Sequence, residues 1–140
     1  MKTIAIVLAG SFLLGQAAQP VYVNEQSKLI WTHDGKDVKG QPETLASGEV
    51  ALYAAGVDPK APDAVPLGTI PATDPKGTDP TALKALLLNR ADGDYVVAVR
   101  VADAAGNRSA PEALLVRKDT AAPSPISGLK ATITFTITVP

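Results

Sequence analysis

The 140-residue sequence contains no cysteine and a single histidine, His33. The first absence rules out disulfide staples and thiolate metal ligands, and it leaves the redox compartment unmarked. The second rules out paired-imidazole zinc sites and leaves His33 alone to act as base beside a nucleophile. His33 precedes Asp34-Gly35 at the end of an apolar run, which is the setting of a turn. Aromatic residues are scarce, with one Trp, three Tyr and two Phe, so a core must be built from Val, Leu, Ile and Ala, a mixture that suits strands. Carbohydrate sites rely on exposed rings, and here Trp31, Tyr53 and Tyr95 fall in expected strands, leaving Tyr22 for the surface. Thirteen basic residues against fourteen acidic ones give a net charge of −1 with no basic run, which excludes a phosphate-tracking nucleic-acid surface. The glycines are scattered among turns and form no phosphate cradle.

Carboxylates are the remaining source of chemistry. Asp34 with Asp37, Asp74 with Asp79, and Asp92 with Asp94 are the clusters to weigh, and none has the spacing of a calcium loop. Paired acids for glycoside hydrolysis have no positive support in the sequence. No catalytic residue, metal ligand or cofactor is therefore expected.

What is present is a succession of short apolar runs separated by Gly, Pro, Asp and Asn, the pattern of strands joined by turns. Strands are expected at 21–24, 28–32, 49–55, 65–70, 94–102 and 113–117. The clearest alternation places Tyr95, Val97, Val99 and Val101 on one face, the expected core side. Residues 81–90 read equally as helix or strand. Asp79-Pro80 makes a helix start, and Leu83, Leu86 and Leu87 fall at i, i+3 and i+4, whereas a strand would align Lys84 with Leu86 and Leu88. Two connections, 33–48 and 71–79, exceed the common length of about 4–6 residues and are either binding loops or inert excursions.

With the strands placed, Leu29-x-Trp31, Val50-Ala51-Leu52-Tyr53 and above all the stretch 93–109 carry a likeness. Gly93-Asp94-Tyr95, the alternating valines and Asp103-Ala104-Ala105-Gly106-Asn107-Arg108-Ser109 together resemble a bacterial fibronectin type III or related Ig-like domain. The resemblance covers residues 20–129. It implies an all-β, Ig or fibronectin type III-like β-sandwich over 19–118, with room for one short helix near 80–90. It also implies a structural core including Trp31, Tyr95, Val97 and Val99, with Trp31 between the sheets and Tyr95 bonded back to the preceding corner. Asp103, Gly106 and Asn107 would shape the following turn through tolerance of positive φ. Because the fold hosts many functions, it implies a module more than a task.

The two ends stand apart from this domain. Residues 1–18 begin with Lys2, continue through an uncharged apolar run over 3–14 and reach Gly15, Ala17 and Ala18, the order of a secretory leader cleaved after Ala17 or Ala18. The run is shorter than the roughly 20 residues of a membrane span, so no span is expected in the mature chain. The alternative is that this segment stays attached and is buried, either as a strand or helix of the fold or against a neighbouring subunit. At the other end, residues 119–130 resemble an interdomain linker. Residues 131–140 then place Ile133, Phe135, Ile137 and Val139 in alternation with threonines, a charge-free pattern that would be an aggregation hazard unpaired. This strand either joins its own sheet or pairs with a neighbour.

The expected function is that of a non-enzymatic structural subunit of an extracellular, cell-surface or virion assembly, with copies of itself or other subunits as protein partners. The alternative is an exported monomeric adhesion or ligand-binding module that uses its long loops.

Overall fold

The computed structural model describes residues 5–7, 19–24, 26–72, 74–79, 81–132, 136 and 138, with backbone only for 5–7 and 78. In chain order the elements are β1 (Ala5–Val7), β2 (Val21–Val23), β3 (Lys28–Ile30), β4 (Leu45–Ala54), β5 (Gly68–Pro71), β6 (Thr78–Asp79), α1 (Ala82–Leu87), β7 (Gly93–Asp103) and β8 (Glu112–Lys118). The fold is all-β with one short helix. Five strands form a mixed sheet in the order β2-β8-β7-β4-β5, and three form a second group in the order β1-β3-β6. β4, β7 and β8 are antiparallel neighbours, whereas β2 runs parallel to β8 and β1 parallel to β3.

One core is shared by both groups. Leu29 and Trp31 meet Val50 and Leu52 of β4, Val97 and Val99 of β7, and Val116 of β8, and α1 closes the cluster with Ala82, Leu83, Leu86 and Leu87. Side chains of this kind contribute about 1.5–3 kcal/mol each when fully buried, and Leu29, Leu52, Val50, Val97 and Val116 are all 0% exposed. Packing decides the ambiguous stretch: its leucine spacing turns one face of a helix onto the core, leaving Lys84 and Ala85 outside. The helix starts at Ala82, later than the Asp79-Pro80 signal suggests. Asp79 still serves its start, accepting hydrogen bonds from Thr81 N at 2.9 Å and Ala82 N at 2.7 Å.

Several boundaries differ from the sequence reading. β4 begins at Leu45, so the connection after β3 is shorter than 33–48, and Lys36 bridges to Pro42 within it. A register irregularity between Leu45 and Ser47 lets this weak strand sequence follow β7. β7 is also buried on both faces. Val96 and Ala98 form a second cluster with Ala51 and Tyr53, capped by Val57 and Ala64 from the β4–β5 connection. A near-continuous apolar run is what two-sided burial requires.

β6 holds its place through Trp31. The Trp31 amide donates to Gly77 O at 2.8 Å, and its indole Nε1 donates to Pro75 O at 3.2 Å. The 74–77 turn is thereby closed around the indole. A Cβ on Gly77 would lie 2.6 Å from Trp31 O.

Candidate functional site

The stretch with the strongest sequence signal forms a self-bonded corner. Val101 N donates to Ser109 Oγ at 3.0 Å and Ser109 N to Val101 O at 2.8 Å, clamping the base of the turn. Inside it, the Asp103 carboxylate accepts bonds from Asn107 N at 2.9 Å and Asn107 Nδ2 at 2.8 Å. These bonds hold the Asp103 carboxyl below its ordinary value. Positive φ falls on Gly106 alone, at 86°, so Asp103 and Asn107 act through hydrogen bonds and not through left-handed backbone. At the other end of β7, Tyr95 packs half-buried against the core, and its hydroxyl donates to Ala91 O at 2.7 Å. Trp31, Val97 and Val99 are buried in that core.

The acidic residues are spread around the perimeter. Asp34 and Asp37 accept the amides of Lys36 and Lys39, and Asp74 that of Lys76, which makes each the first residue of its own turn. His33 does the same work, with Nδ1 accepting from Gly35 N at 3.0 Å. Asp92 accepts from both the amide and the hydroxyl of Thr120, bonds that lower its pKa. Asp94 makes a two-pronged pair with Arg117 at 2.6 and 2.8 Å, which lowers the carboxyl pKa and raises that of the guanidinium. The Arg117 guanidinium also lies 5.6 Å from the Tyr22 ring centroid, so the exposed ring covers a cation. Among the described residues, no three His, Cys, Asp or Glu side chains group as a metal site would need. No helix among them is long and apolar enough to cross a membrane.

Among the described residues, two of the hollows are mainly apolar grooves. One, of about 350 Å³, runs between α1 and the end of β2, lined by Val23, Leu83, Leu87 and Leu88 with Lys118 and Thr120 at its rim. Lys118 Nζ spans this end of the molecule, donating to Leu87 O at 2.8 Å and Arg90 O at 2.6 Å, where the carbonyls leaving the helix need donors. The other, of about 430 Å³, lies on the outer face of the five-stranded sheet between Val57, Pro59, Val96 and Leu115. Neither brings together titratable groups in a pattern for acid–base or nucleophilic work.

Sequence reasoning missed Gly77, Lys118 and Arg117, whose partners lie 46 (Trp31), 31 (Leu87) and 23 (Asp94) residues away. No local pattern marks such pairs. Ile133, Phe135, Ile137 and Val139 lie outside the described residues; Ala131, Thr132, Thr136 and Thr138 have no regular structure and are exposed. Residues 119–132 are exposed throughout, and the last side chain among them bonded back to the domain is that of Thr120, through Asp92. Comparisons with protein-family models, with curated proteins and with solved structures found no match.

Proposed function

We propose that this chain is an Ig or fibronectin type III-like β-sandwich that serves as a non-enzymatic structural subunit of an extracellular, cell-surface or virion-surface assembly, held to neighbours through its ends. Support for the sandwich comes from the core shared by the two strand groups, the parallel β2–β8 edge and the Tyr95 corner bond. The observation that carries the assembly reading is the exposed, irregular course of residues 119–132. The domain releases its chain after Thr120, and the released arm leads into a charge-free alternating segment that needs a pairing partner.

Deleting residues 131–140 is the test. Native mass should fall to that of a monomer while thermal unfolding of the domain stays cooperative with an unchanged midpoint. A truncated chain that keeps the native mass of the full chain refutes the reading, and one that no longer folds places the segment in its own sheet.

A second reading, an exported monomeric adhesion module, rests on the 33–43 connection. Its tip presents a fully exposed Val38 on a turn braced by Asp37 N to Gln41 O at 2.8 Å and Glu43 N to Gly35 O at 2.7 Å. A monomeric full-length chain would favour it.

A further inference from the structure

Resting on the assembly reading above, we propose that the β3 edge now filled by β1 is an acceptor position, which the segment 131–139 of a second copy occupies once residues 1–18 are removed.

Ala5–Val7 pairs in parallel with Lys28–Ile30, with Ile6 in register with Leu29. These three residues belong to the segment that carries the order of a cleavable leader. Cleavage after Ala17 or Ala18 would take β1 away and leave β3 paired on one side only, with β6. That edge borders the core: Leu29 is 0% exposed and Trp31, one residue beyond the strand, 7%. Loss of β1 would leave a row of backbone donors and acceptors on β3 without their strand partner.

The other edges make poorer acceptors. β5 ends in Pro71, which has no N–H to offer, and β6 is two residues long and followed by Pro80. β2 is no longer than β3, and its Tyr22 side chain is already engaged with Arg117. The incoming segment suits the vacated place. Its apolar residues Ile133, Phe135, Ile137 and Val139 repeat at the period that would set one face toward Leu29 and the threonines toward solvent. The arm can also travel. Twelve residues over 119–130 extend to roughly 40 Å, more than the roughly 26 Å given by twice the radius of gyration of a 100-residue domain.

The absence of cysteine makes the position testable in the full chain, expressed with export and checked by intact mass. Lys28→Cys is combined in turn with Thr132→Cys, Thr134→Cys, Thr136→Cys and Thr138→Cys, because paired strands bring opposed residues to about 4.5–5.5 Å, within disulfide reach. The expected result, after mild oxidation, is a ladder of covalent multimers from at least one combination, built from chains lacking residues 1–18. The same partners combined with Thr69→Cys on β5 should give none. Multimers that require 131–140 yet cross-link at Thr69 and not at Lys28 overturn this inference and leave the assembly reading standing. Cross-links confined within one chain, or formed between chains that retain residues 1–18, overturn the proposed occupant or the proposed vacancy. An uncross-linked chain that is monomeric at every concentration overturns both readings.

Discussion

Replacing Gly77 with Ala tests whether the 74–77 turn is fitted to Trp31 as closely as the structure has it. Two effects act with opposite sign. Gly77 does not have positive φ, so an Ala there is conformationally acceptable and, by restricting the unfolded chain, would stabilise by about 0.4–1 kcal/mol if nothing else changed. Against this, the new Cβ would stand 2.6 Å from the Trp31 carbonyl oxygen, a backbone atom already positioned by the β3–β6 pairing. Relieving the contact means moving one backbone away from the other. That strains the 2.8 Å bond from Trp31 N to Gly77 O and the 3.2 Å bond from the indole to Pro75 O. Overpacking of this kind costs about 1–3 kcal/mol, and a weakened hydrogen bond adds about 0.5–1.5 kcal/mol. The net expectation is a loss of about 2 kcal/mol, which for a domain of this size lowers Tm by roughly 10 °C. Trp31 is the sole tryptophan, so urea unfolding followed by its fluorescence reports directly on this corner. Gly56→Ala is the control: its φ is 83° and no atom lies within 4 Å of the added Cβ, so its cost is conformational only, about 1 kcal/mol. A Gly77→Ala protein as stable as the parent, or more so, would refute the close fit of the turn to β3.

Tyr95→Phe removes the 2.7 Å bond to Ala91 O and should cost about 1 kcal/mol in urea unfolding; a midpoint unchanged within error would mean that water replaces the phenol at this exposed corner. Acid should also destabilise the domain. Asp92, Asp94 and Asp103 all have folded-state pKa values below the ordinary 3.8, so their stabilisation is complete above that value and is lost as pH falls through the lowered ones. Tm should therefore hold steady from pH 7 to about 5 and decline below about pH 4, less steeply in Asp94→Asn, which has already lost its pair with Arg117. A Tm that stays level through the acid range would show these bonds to be idle.

Two strands were plainly legible: 94–102 and 113–117 lie within β7 and β8, the first through valines at period two and the second as a short apolar run bounded by Pro111 and Asp119. What escaped was set by partners distant in sequence. β4 extends back through Ser47 and Gly48, poor strand formers, because β7 is long enough to offer them pairing out to Asp103. β6 is two residues held by the backbone of β3, and nothing in Thr78-Asp79 announces it. The helix was undecidable locally, since the same leucines serve either period, and burial of Leu83, Leu86 and Leu87 against both strand groups settles it. The second apolar face of β7 was hidden for a related reason: Val96 and Ala98 read as an outer face until the 55–67 connection folds over them.

The placement of the acidic residues bears on where function can reside. Asp34, Asp37, Asp58, Asp74 and Asp119 each accept the amide two residues ahead, so five turns are shaped by side chains in a chain without disulfides. Such bonds need the carboxylate beside its own backbone, which disperses the acids around the rim instead of converging them on a cleft. Lys118 and Arg117, at the end of the last strand, are likewise engaged, one with the carbonyls after α1 and the other with Asp94. The body of the domain thus closes on itself up to Thr120, whose hydroxyl and amide both meet Asp92. Beyond that point, through residue 132, the side chains are exposed, Ile126 and Leu129 among them at 86% and 89%. The folded body and the exposed course of residues 121–132 are thus separate parts of the chain. Substitutions at Ile126 or Leu129 should therefore leave the unfolding midpoint untouched, whereas a shift there would mean that the arm packs on its own domain.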